Sequence, residues 1–430
     1  MLGTAALIMI IVIIFLLLKN KIIPGAVLII VPIVTALITG FSIVNIGKFV
    51  MSGLGTVSSV IAMFVFAIMY FGVVSDAGMF DVFVKNIVKR TRNNVLSVTI
   101  ATAIIGMIAH IEGVGAATFL ITIPAMLPIY KRLRIRPQAL VLLVGAAAGV
   151  MNIVPWGGPT LRAATALQMD VVALWKPLIP LQIVGFITVL ALACVISKLE
   201  VRNGAGQVDI EAITEAIETK VDPLHRPNLL AFNLILTILA LALLVSSLVA
   251  PAVVFMLAMC IALPVNYPDI KTQSEIVKKH APSAMLMAVT LMGAGAFLGI
   301  LSGTKMVDAL ATSLINIIPA FLAPYLHIII GAFGAVIGMG LGPDPYYFGL
   351  LPIVKGIVSA YGVEPATVAR AMLIGENVAF PVSPVVPSVY LGIGLAGIQL
   401  GEHIRYSFLW LWAVSIIMLV AGIALGIIPL

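Results

Sequence analysis

Residues 155–162 read PWGGPTLR and interrupt an otherwise apolar stretch of the chain. The two prolines lack a backbone N–H and the two glycines tolerate dihedrals that other residues avoid, so a helix must unwind here. A second stretch, ENVAFPVSPVVPS at 376–388, has the same character in the second half. Each interruption divides an apolar block into two half-helices, and such irregular backbone is tolerated at membrane depth only where it lines a cavity or is buried in protein.

The composition places most of the chain in a membrane. Of 430 residues, 62% are hydrophobic and 10% are charged, against roughly 45–50% and 25% in soluble domains. A spanning helix takes about 20 apolar residues, which excludes a soluble, disordered or disulfide-stapled protein and predicts an all-α polytopic membrane protein. The net charge of +7 lies in short clusters between apolar blocks. This pattern indicates topology signals rather than a nucleic-acid partner.

An internal repeat relates the two halves of the chain. At an offset of 227, the run YFGVVSDAGMFD at 70–81 falls on FLGILSGTKMVD at 297–308. We therefore predict a first repeat over 1–198, a cytoplasmic linker over 199–228 and a second repeat over 229–430. At an offset of 228, four punctuating residues coincide: Gly106 with Gly334, Pro124 with Pro352, Pro137 with Pro365, and Pro159 with Pro387.

The basic residues predict the orientation of the repeats, because cytoplasmic loops retain Lys and Arg. With both termini outside, 18 of the 24 Lys and Arg residues lie inside. The clusters at 85–92 and 131–136 share that side only if 93–130 is a re-entrant hairpin. Each repeat then has five spans, a hairpin and a broken helix, and the odd number of spans inverts the second repeat. We expect a multi-pass protein of the plasma (inner) membrane.

Glycine, proline and carboxylates gather at the predicted hairpin tips. The first tip reads HIEGVGAAT at 110–118 and the second GMGLGPDPYY at 338–347. Two tips and two broken helices that meet inside the membrane form a polar pocket. The candidate substrate-binding residues are Glu112, Gly113, Gly115, Thr118, Gly157, Gly158, Thr160, Arg162, Asp344, Tyr346, Asn377, Ser383 and Ser388.

The charged candidates have more than one interpretation. A charge inside the membrane costs about 2.5–3.5 kcal/mol unless it is paired, so Arg162 either binds a substrate carboxylate through its planar fork or pairs with Glu112 or Asp344. Those two carboxylates can bind a metal ion, carry a coupling proton or hold a hairpin turn, and Glu376 is a third proton-coupling candidate. For His110, at a hairpin bend, we favour a structural role with a backbone carbonyl as its partner over a proton relay.

The motifs resemble the citrate-metal-proton symporter family of the ion transporter superfamily, essentially from end to end. The resemblance rests on HIEGVGAATFLITIPAMLPIYKRL (110–133), PWGGPTLRAA (155–164), LGPDPYYFGLLP (341–352) and FPVSPVVPSVYLG (380–392). It implies an elevator-type fold, in which a homodimer moves its hairpins and broken helices past a scaffold. It also implies proton-coupled uptake of citrate with a divalent ion such as Mg²⁺ or Ca²⁺, and no permanently bound cofactor.

The first hairpin departs from the family pattern, which is close to D-G-D-G followed by hydroxyl residues. Here Glu112 stands at the first acid and Val114 at the second, and Ala116 and Ala117 replace the hydroxyls. Hard cations such as Mg²⁺ and Ca²⁺ bind through oxygen ligands. The departure therefore removes oxygen atoms that a co-transported metal would use.

The sequence thus predicts a secondary active symporter for citrate or a related polycarboxylate. An inorganic-ion or cation/proton antiporter on the same fold is the alternative, and it would use the carboxylates without Arg162. Enzyme function is not expected, because neither H-E-x-x-H nor a paired Ser/Lys site occurs, and G-x-x-x-x-G-K-[ST] is absent as well. A passive scaffold or receptor would not need broken helices in both halves.

Overall fold

The computed structural model describes residues 2–18, 21–80, 82, 87, 94–113, 115–206, 223–246, 248–306, 309, 319, 321–384 and 386–429. Within these ranges all regular secondary structure is helical. Six helices of the described residues are long and apolar enough to cross a membrane, or seven if a bent pair at 323–341 counts as one span. The fold is therefore all-α and polytopic, as predicted. The basic cluster at 85–92, Val114 and most of the linker lie outside the described residues.

The first half contains two long helices among several shorter ones. A 3-10 turn at His110–Glu112 separates the arms of the first hairpin. The helices are α1 (Leu2–Leu18), α2 (Pro24–Ile38), α3 (Ile43–Asp76), α4 (Val95–Ala109), α5 (Gly115–Arg132), α6 (Pro137–Met151), α7 (Gly158–Ala166), α8 (Val171–Trp175) and α9 (Ile179–Arg202).

The second half follows a similar order of helices. Its first hairpin arm is bent by 69°, and a π-helical turn at Pro345–Leu350 opens the second arm. The helices are α10 (Leu230–Ser246), α11 (Pro251–Asn266), α12 (Ile270–Gly303), α13 (Leu326–Ala332), α14 (Gly334–Leu341), α15 (Leu351–Val358), α16 (Pro365–Asn377), α17 (Pro387–Ala396) and α18 (Leu400–Ala424).

Local sequence explains why corresponding helices begin at corresponding residues. Helices α3 and α12 both have 34 residues, and their N-caps, Ser42 and Asp269, are 227 residues apart. Each cap side chain accepts a hydrogen bond from the backbone N–H three residues further on, at 3.3 and 2.9 Å, which satisfies an otherwise free donor. The helix bounds thus follow the sequence repeat, while the inverted orientation of the second copy stays a prediction.

Both long helices begin earlier than their apolar blocks. Hydropathy marks 56–74 and 283–301, whereas the helices start at Ile43 and Ile270. The cap residues fix these starts, and the polar side chains of the first turns, such as Lys48, remain exposed. Hydropathy detects the part of a helix that contacts lipid or protein, whereas capping determines where the helix starts.

Close backbone contact joins α3 to α12. A Cβ at Gly53 would lie 2.8 Å from the Cα of Gly299, and a Cβ at Gly72 would lie 2.7 Å from the His280 ring. The repeat relates these two contacts, since an offset of 227 converts the first pair into the second. Only glycine allows two helices to approach this closely. Helices α1–α3 and α10–α12 form what we call the scaffold.

The remaining helices pack together into a second body, the hairpin unit, which comprises the described residues within 95–202 and 323–424. Glu200, near the end of α9, is 1% exposed. Its carboxylate accepts hydrogen bonds from Nε of Arg136 at 2.9 Å and from the hydroxyl of Tyr406 at 2.8 Å. Helix α9 therefore extends into the residues expected to begin the linker, and its last turn ties together three helices of the hairpin unit.

Replacement of Glu200 by alanine should destabilise the hairpin unit. Hydrogen bonds to a charged group contribute about 1.5–3 kcal/mol, so we expect Glu200→Ala to lower the free energy of unfolding by about 2–3 kcal/mol. Thermal unfolding of the purified protein in detergent measures the change. The exposed Glu275→Ala provides the control. Equal melting temperatures for the two variants would contradict the assigned role of Glu200.

Cysteine labelling tests the predicted topology. Arg134 and Glu364 are both exposed, and the inverted-repeat arrangement places them on opposite sides of the membrane. In a background that lacks Cys194 and Cys260, Arg134→Cys and Glu364→Cys should react with an impermeant thiol reagent from opposite faces. Arg202→Cys is the control and should be labelled from the same face of the membrane as Arg134→Cys. Labelling of Arg134→Cys and Glu364→Cys from the same face would rule out the inversion.

Candidate functional site

A cavity of about 620 Å³ lies between the hairpin unit and the scaffold. The connection between α1 and α2 contributes Lys21, Ile22 and Ile23 to its lining, and these three residues are exposed. Seven of the predicted site residues line it, namely Gly113, Gly115, Gly158, Arg162, Asp344, Ser388 and the proton-coupling candidate Glu376.

Four helical segments begin at or beside this cavity. They are α5 at Gly115, α7 at Gly158, the π-helical turn at Pro345 and α17 at Pro387. The first N–H groups of a helix have no partner within it, and they form the positive end of its dipole. Each half of the chain contributes one hairpin arm and one broken helix to the set. The cavity therefore has the character of an anion-binding site.

The break in the first half is a compact turn that also contacts the scaffold. The N–H of Gly157 donates to the carbonyl of Val154 at 2.9 Å. Trp156 donates from Nε1 to the carbonyl of Ile111 at 2.8 Å and stacks on Phe71 of α3, with ring centroids 5.2 Å apart. Trp156 thus fixes the hairpin tip to the broken helix and places both against the scaffold.

The tip itself depends on Gly113, which has a φ of +78°. A side chain at this left-handed position would be strained, and its Cβ would also lie 3.0 Å from the Trp156 ring. The sequence predicts that glycine breaks the helix here, and the structure shows a turn at Gly113 that packs on Trp156.

Arg162 and Asp344 form an ion pair in the cavity wall. Nε of Arg162 lies 2.6 Å from Oδ1 of Asp344, and the side chains are 11% and 16% exposed. Of the two internal partners considered for Arg162, the structure shows Asp344 and not Glu112. The pair joins the two halves of the chain, because the arginine follows the first break and the aspartate lies at the second hairpin tip.

Two further polar contacts lie beside the pair. The hydroxyl of Tyr347 donates to Oε2 of Glu376 at 2.7 Å. Asn152 donates from Nδ2 to Oδ1 of Asn377 at 2.9 Å, which links the ends of α6 and α16. Among the described residues, Nδ2 of Asn377 is buried without a hydrogen-bond partner. The two broken helices therefore meet through an amide pair at the edge of the cavity.

The other predicted residues lie behind the cavity lining. Glu112 is 6% exposed, and within the described part of the chain its Oε1 has no hydrogen-bond partner. Thr118 lies 2.7 Å from Nδ1 of His110, so the partner of that histidine is a side chain rather than the predicted backbone carbonyl. Tyr346 donates to the carbonyl of Met372, Ser383 donates to that of Met339, and Thr160 is fully buried.

Sequence reasoning missed several residues of the lining. Asn152 lies three residues before the PWGGPT motif begins at Pro155, and a polar residue at the end of an apolar block was a usable signal. Phe64 of α3, with Met287 and Thr290 of α12, forms part of the scaffold wall. These three residues have no motif, because only the packing of the two bodies brings them to the site.

Within the described ranges, no three His, Cys, Asp or Glu side chains are close enough to hold a metal ion. The cavity does offer carboxylate oxygens from Asp344 and Glu376. Such oxygens suit a hard cation that takes its remaining ligands from a bound substrate or from water.

Comparison with known proteins gives the family. The family model described as citrate transporter matches residues 3–375. The chain belongs to this citrate transporter family. It is 39% identical over 428 residues to the "Citrate transporter" of Bacillus subtilis (strain 168), covering 100% of both chains. It is 36% identical over 406 residues to the "Mg(2+)/citrate complex secondary transporter" of the same organism, covering 94% of this chain and 93% of the relative.

A solved structure shares the fold. The YdaH transporter of Alcanivorax borkumensis matches with a TM-score of 0.63 and 14% sequence identity, over 87% of this chain and 88% of that one. The family match confirms the resemblance found in the motifs. This citrate transporter family member is thus a multi-pass membrane transporter and not an enzyme.

Arg162→Lys tests whether the guanidinium binds the substrate. Lysine keeps the charge but loses the planar fork, and a charge-assisted hydrogen bond contributes about 1.5–3 kcal/mol. We expect the apparent affinity for citrate in proteoliposome uptake to fall about 10- to 100-fold, with the folded protein retained. The exposed Arg405→Lys is the control. Unchanged affinity in Arg162→Lys would remove this residue from the binding site.

Proposed function

We propose that the protein is a secondary active symporter that takes up citrate or a related polycarboxylate together with protons, with the substrate entering as a complex with a divalent metal ion. The observation that supports this most directly is the convergence of four helix N-termini on one cavity that also contains Arg162. The two citrate-transporting relatives support the choice of substrate.

A polycarboxylate matches the donors of the site. The first residues of α5, α7 and α17 include Gly115, Gly158 and Ser388, which line the cavity and whose N–H groups have no partner within their own helices. Several carboxylates of one molecule can therefore each reach a different helix start. Arg162 adds a planar donor that binds a carboxylate through two parallel hydrogen bonds. An inorganic monovalent anion would use only one of these groups.

A divalent ion offsets the negative charge that citrate and the carboxylates of the site would otherwise bring together. Free citrate would enter a cavity that already holds Asp344 and Glu376, with Glu112 close behind the lining. A metal ion bound to citrate reduces the charge of the complex and can bridge substrate oxygens to protein carboxylates. We assign Asp344 and Glu112 to this contact. The name of one relative, "Mg(2+)/citrate complex secondary transporter", describes such a cargo.

Proton coupling needs a carboxylate that changes its protonation state between the two sides of the membrane. Glu376 lines the cavity and accepts a hydrogen bond from Tyr347, and Asp344 pairs with Arg162. Together with Glu112, these groups are the coupling candidates that we propose. Intramembrane carboxylates of this kind mark proton and ion pathways.

Transport would proceed by movement of the hairpin unit against the scaffold. The division of the helices into two bodies, with the cavity between them, supports an elevator-type mechanism. The matching helix bounds support two repeats over 1–198 and 229–430, joined by a linker over 199–228. We further propose that the second repeat is inverted, that both termini lie outside the cell and that the protein is a homodimer.

Substrate-induced stabilisation tests the proposed cargo. A ligand that binds the folded state stabilises it by RT ln(1 + [L]/Kd). We expect citrate with Mg²⁺ or Ca²⁺ to raise the melting temperature of the purified protein more than citrate in a chelator, and succinate or chloride to have little effect. Equal stabilisation by every acid would contradict a specific polycarboxylate site.

Asp344→Asn distinguishes uptake of a metal-bound substrate from uptake that is coupled to protons without a metal. If the metal contacts Asp344, this variant should lose metal-stimulated uptake. If Asp344 only carries a proton, substrate binding and exchange should persist while uptake no longer responds to a pH gradient. Asp269→Asn, at the N-cap of α12, is the control. Wild-type uptake that is equally fast in excess chelator and in Mg²⁺ would overturn the metal-bound cargo.

A further inference from the structure

A second, smaller cavity also lies between the scaffold and the hairpin unit. Its volume is about 220 Å³. The scaffold wall is formed by one face of α3, including Ser59, Val60 and Met63, and by Pro251 at the start of α11. The hairpin unit closes it with the end of α7 and the following loop, 164–170. No function described above uses this cavity.

The scaffold wall of this cavity is the repeat counterpart of the scaffold wall of the substrate cavity. An offset of 227 relates four of the residues that line one scaffold wall to four that line the other. Both scaffold walls pack against the same hairpin unit. When that unit moves in an inverted-repeat transporter, a contact made by one wall is expected to be replaced by the equivalent contact with the other wall. The corresponding pairs are Pro24 with Pro251, Leu286 with Ser59, Met287 with Val60, and Thr290 with Met63.

We infer that the α3 face at Ser59, Val60 and Met63, with Pro251, is the scaffold wall of the substrate site in the opposite conformation of the transport cycle. The substrate is the same polycarboxylate complex, so this inference rests on the proposed function. In the present conformation the scaffold side of the site is lined by Leu286, Met287 and Thr290 of α12 together with Lys21 and Ile22. In the opposite one, the hairpin unit has moved so that the substrate faces Ser59, Val60 and Met63 of α3 instead of Leu286, Met287 and Thr290 of α12.

The inference specifies which residues meet. A Cβ on Gly158 would lie 3.5 Å from Cε of Met287, so the start of α7 contacts α12 in this structure. The repeat partners of that pair are Val386, before α17, and Val60 on α3. Here they line different cavities. The opposite conformation brings Val386 against Val60.

An aromatic cluster favours the present conformation. Trp156 of the hairpin unit lies between Phe71 and Phe255 of the scaffold, with ring centroids 5.2 and 5.4 Å from its own. The repeat partner of Trp156 is Pro384, which is exposed here, and the two phenylalanines correspond to leucines at 298 and 28. In the opposite conformation the stacking of Trp156 on two phenylalanines is replaced by contact of Pro384 with two leucines. Phe71 and Phe255 are thus positioning residues for one end of the cycle.

Cross-linking across the two halves tests the inference. In a background without Cys194 and Cys260, the pair Val60→Cys and Val386→Cys is combined with a protease site inserted between Gly206 and Pro223. A short bifunctional maleimide should keep the halves together after proteolysis and block uptake. The pair Gly158→Cys and Met287→Cys reports the present conformation.

The matched control is the pair Ser58→Cys and Val386→Cys. Ser58 lies at nearly the same depth as Val60 but is absent from the lining and exposed on another face of α3. It should not cross-link. Adding Phe255→Leu to the Val60 and Val386 pair should raise the cross-linked fraction about two- to tenfold, because an aromatic pair contributes about 0.5–1.5 kcal/mol.

The outcomes separate this inference from the proposed cargo. If the variant with Val60→Cys and Val386→Cys takes up citrate but forms no cross-link, while Gly158→Cys and Met287→Cys do cross-link, the assignment of the α3 face is overturned. A cross-link between Val386 and Ser58 that equals the one with Val60 also overturns it. If Val60 and Val386 cross-link while citrate with Mg²⁺ is neither bound nor transported, the second conformation is supported and the cargo assignment fails.

Discussion

The rest of the structure depends on one constraint, which is that backbone N–H groups inside a membrane must find partners. A continuous helix meets this requirement by itself, whereas a helix that restarts leaves its first N–H groups free. This chain restarts four helical segments around one cavity. The resulting concentration of donors and positive dipole ends needs an anion, so the same backbone irregularity that costs stability supplies the binding site.

The site lies between the scaffold and the hairpin unit, and each of these two bodies is held together by a different kind of packing. Glycine contacts such as Gly53 with Gly299 bring α3 and α12 together so closely that the scaffold acts as one support. Polar anchors such as Glu200 hold the hairpin unit together independently of that support. The contact between the bodies depends more on Trp156 and the apolar wall, and apolar surfaces exchange partners more readily than buried hydrogen-bonded charges do.

The two halves of the chain share helix positions but not the charged residues of the site. The repeat determines the helix bounds and the two hairpin tips, but Arg162 corresponds to Tyr390 and Asp344 to Ala116 at an offset of 228. The only described ion pair in the cavity wall is therefore formed across the halves, by residues without counterparts. The predicted repeat gives the two halves equivalent helix starts, while the charged residues proposed to bind the substrate have no charged counterpart in the other half.

Local sequence by itself predicted the membrane class, the two broken helices, an internal repeat and the family resemblance, because composition, prolines and glycines act over a few residues. It also identified Arg162, Asp344 and Glu376 beside the cavity. Only the tertiary structure decided that Arg162 pairs with Asp344 rather than Glu112, that Thr118 contacts His110, and that ordinary apolar residues of α3 and α12 form the opposite wall. Those contacts join residues far apart in the chain, where neither hydropathy nor spacing contains information about the partner.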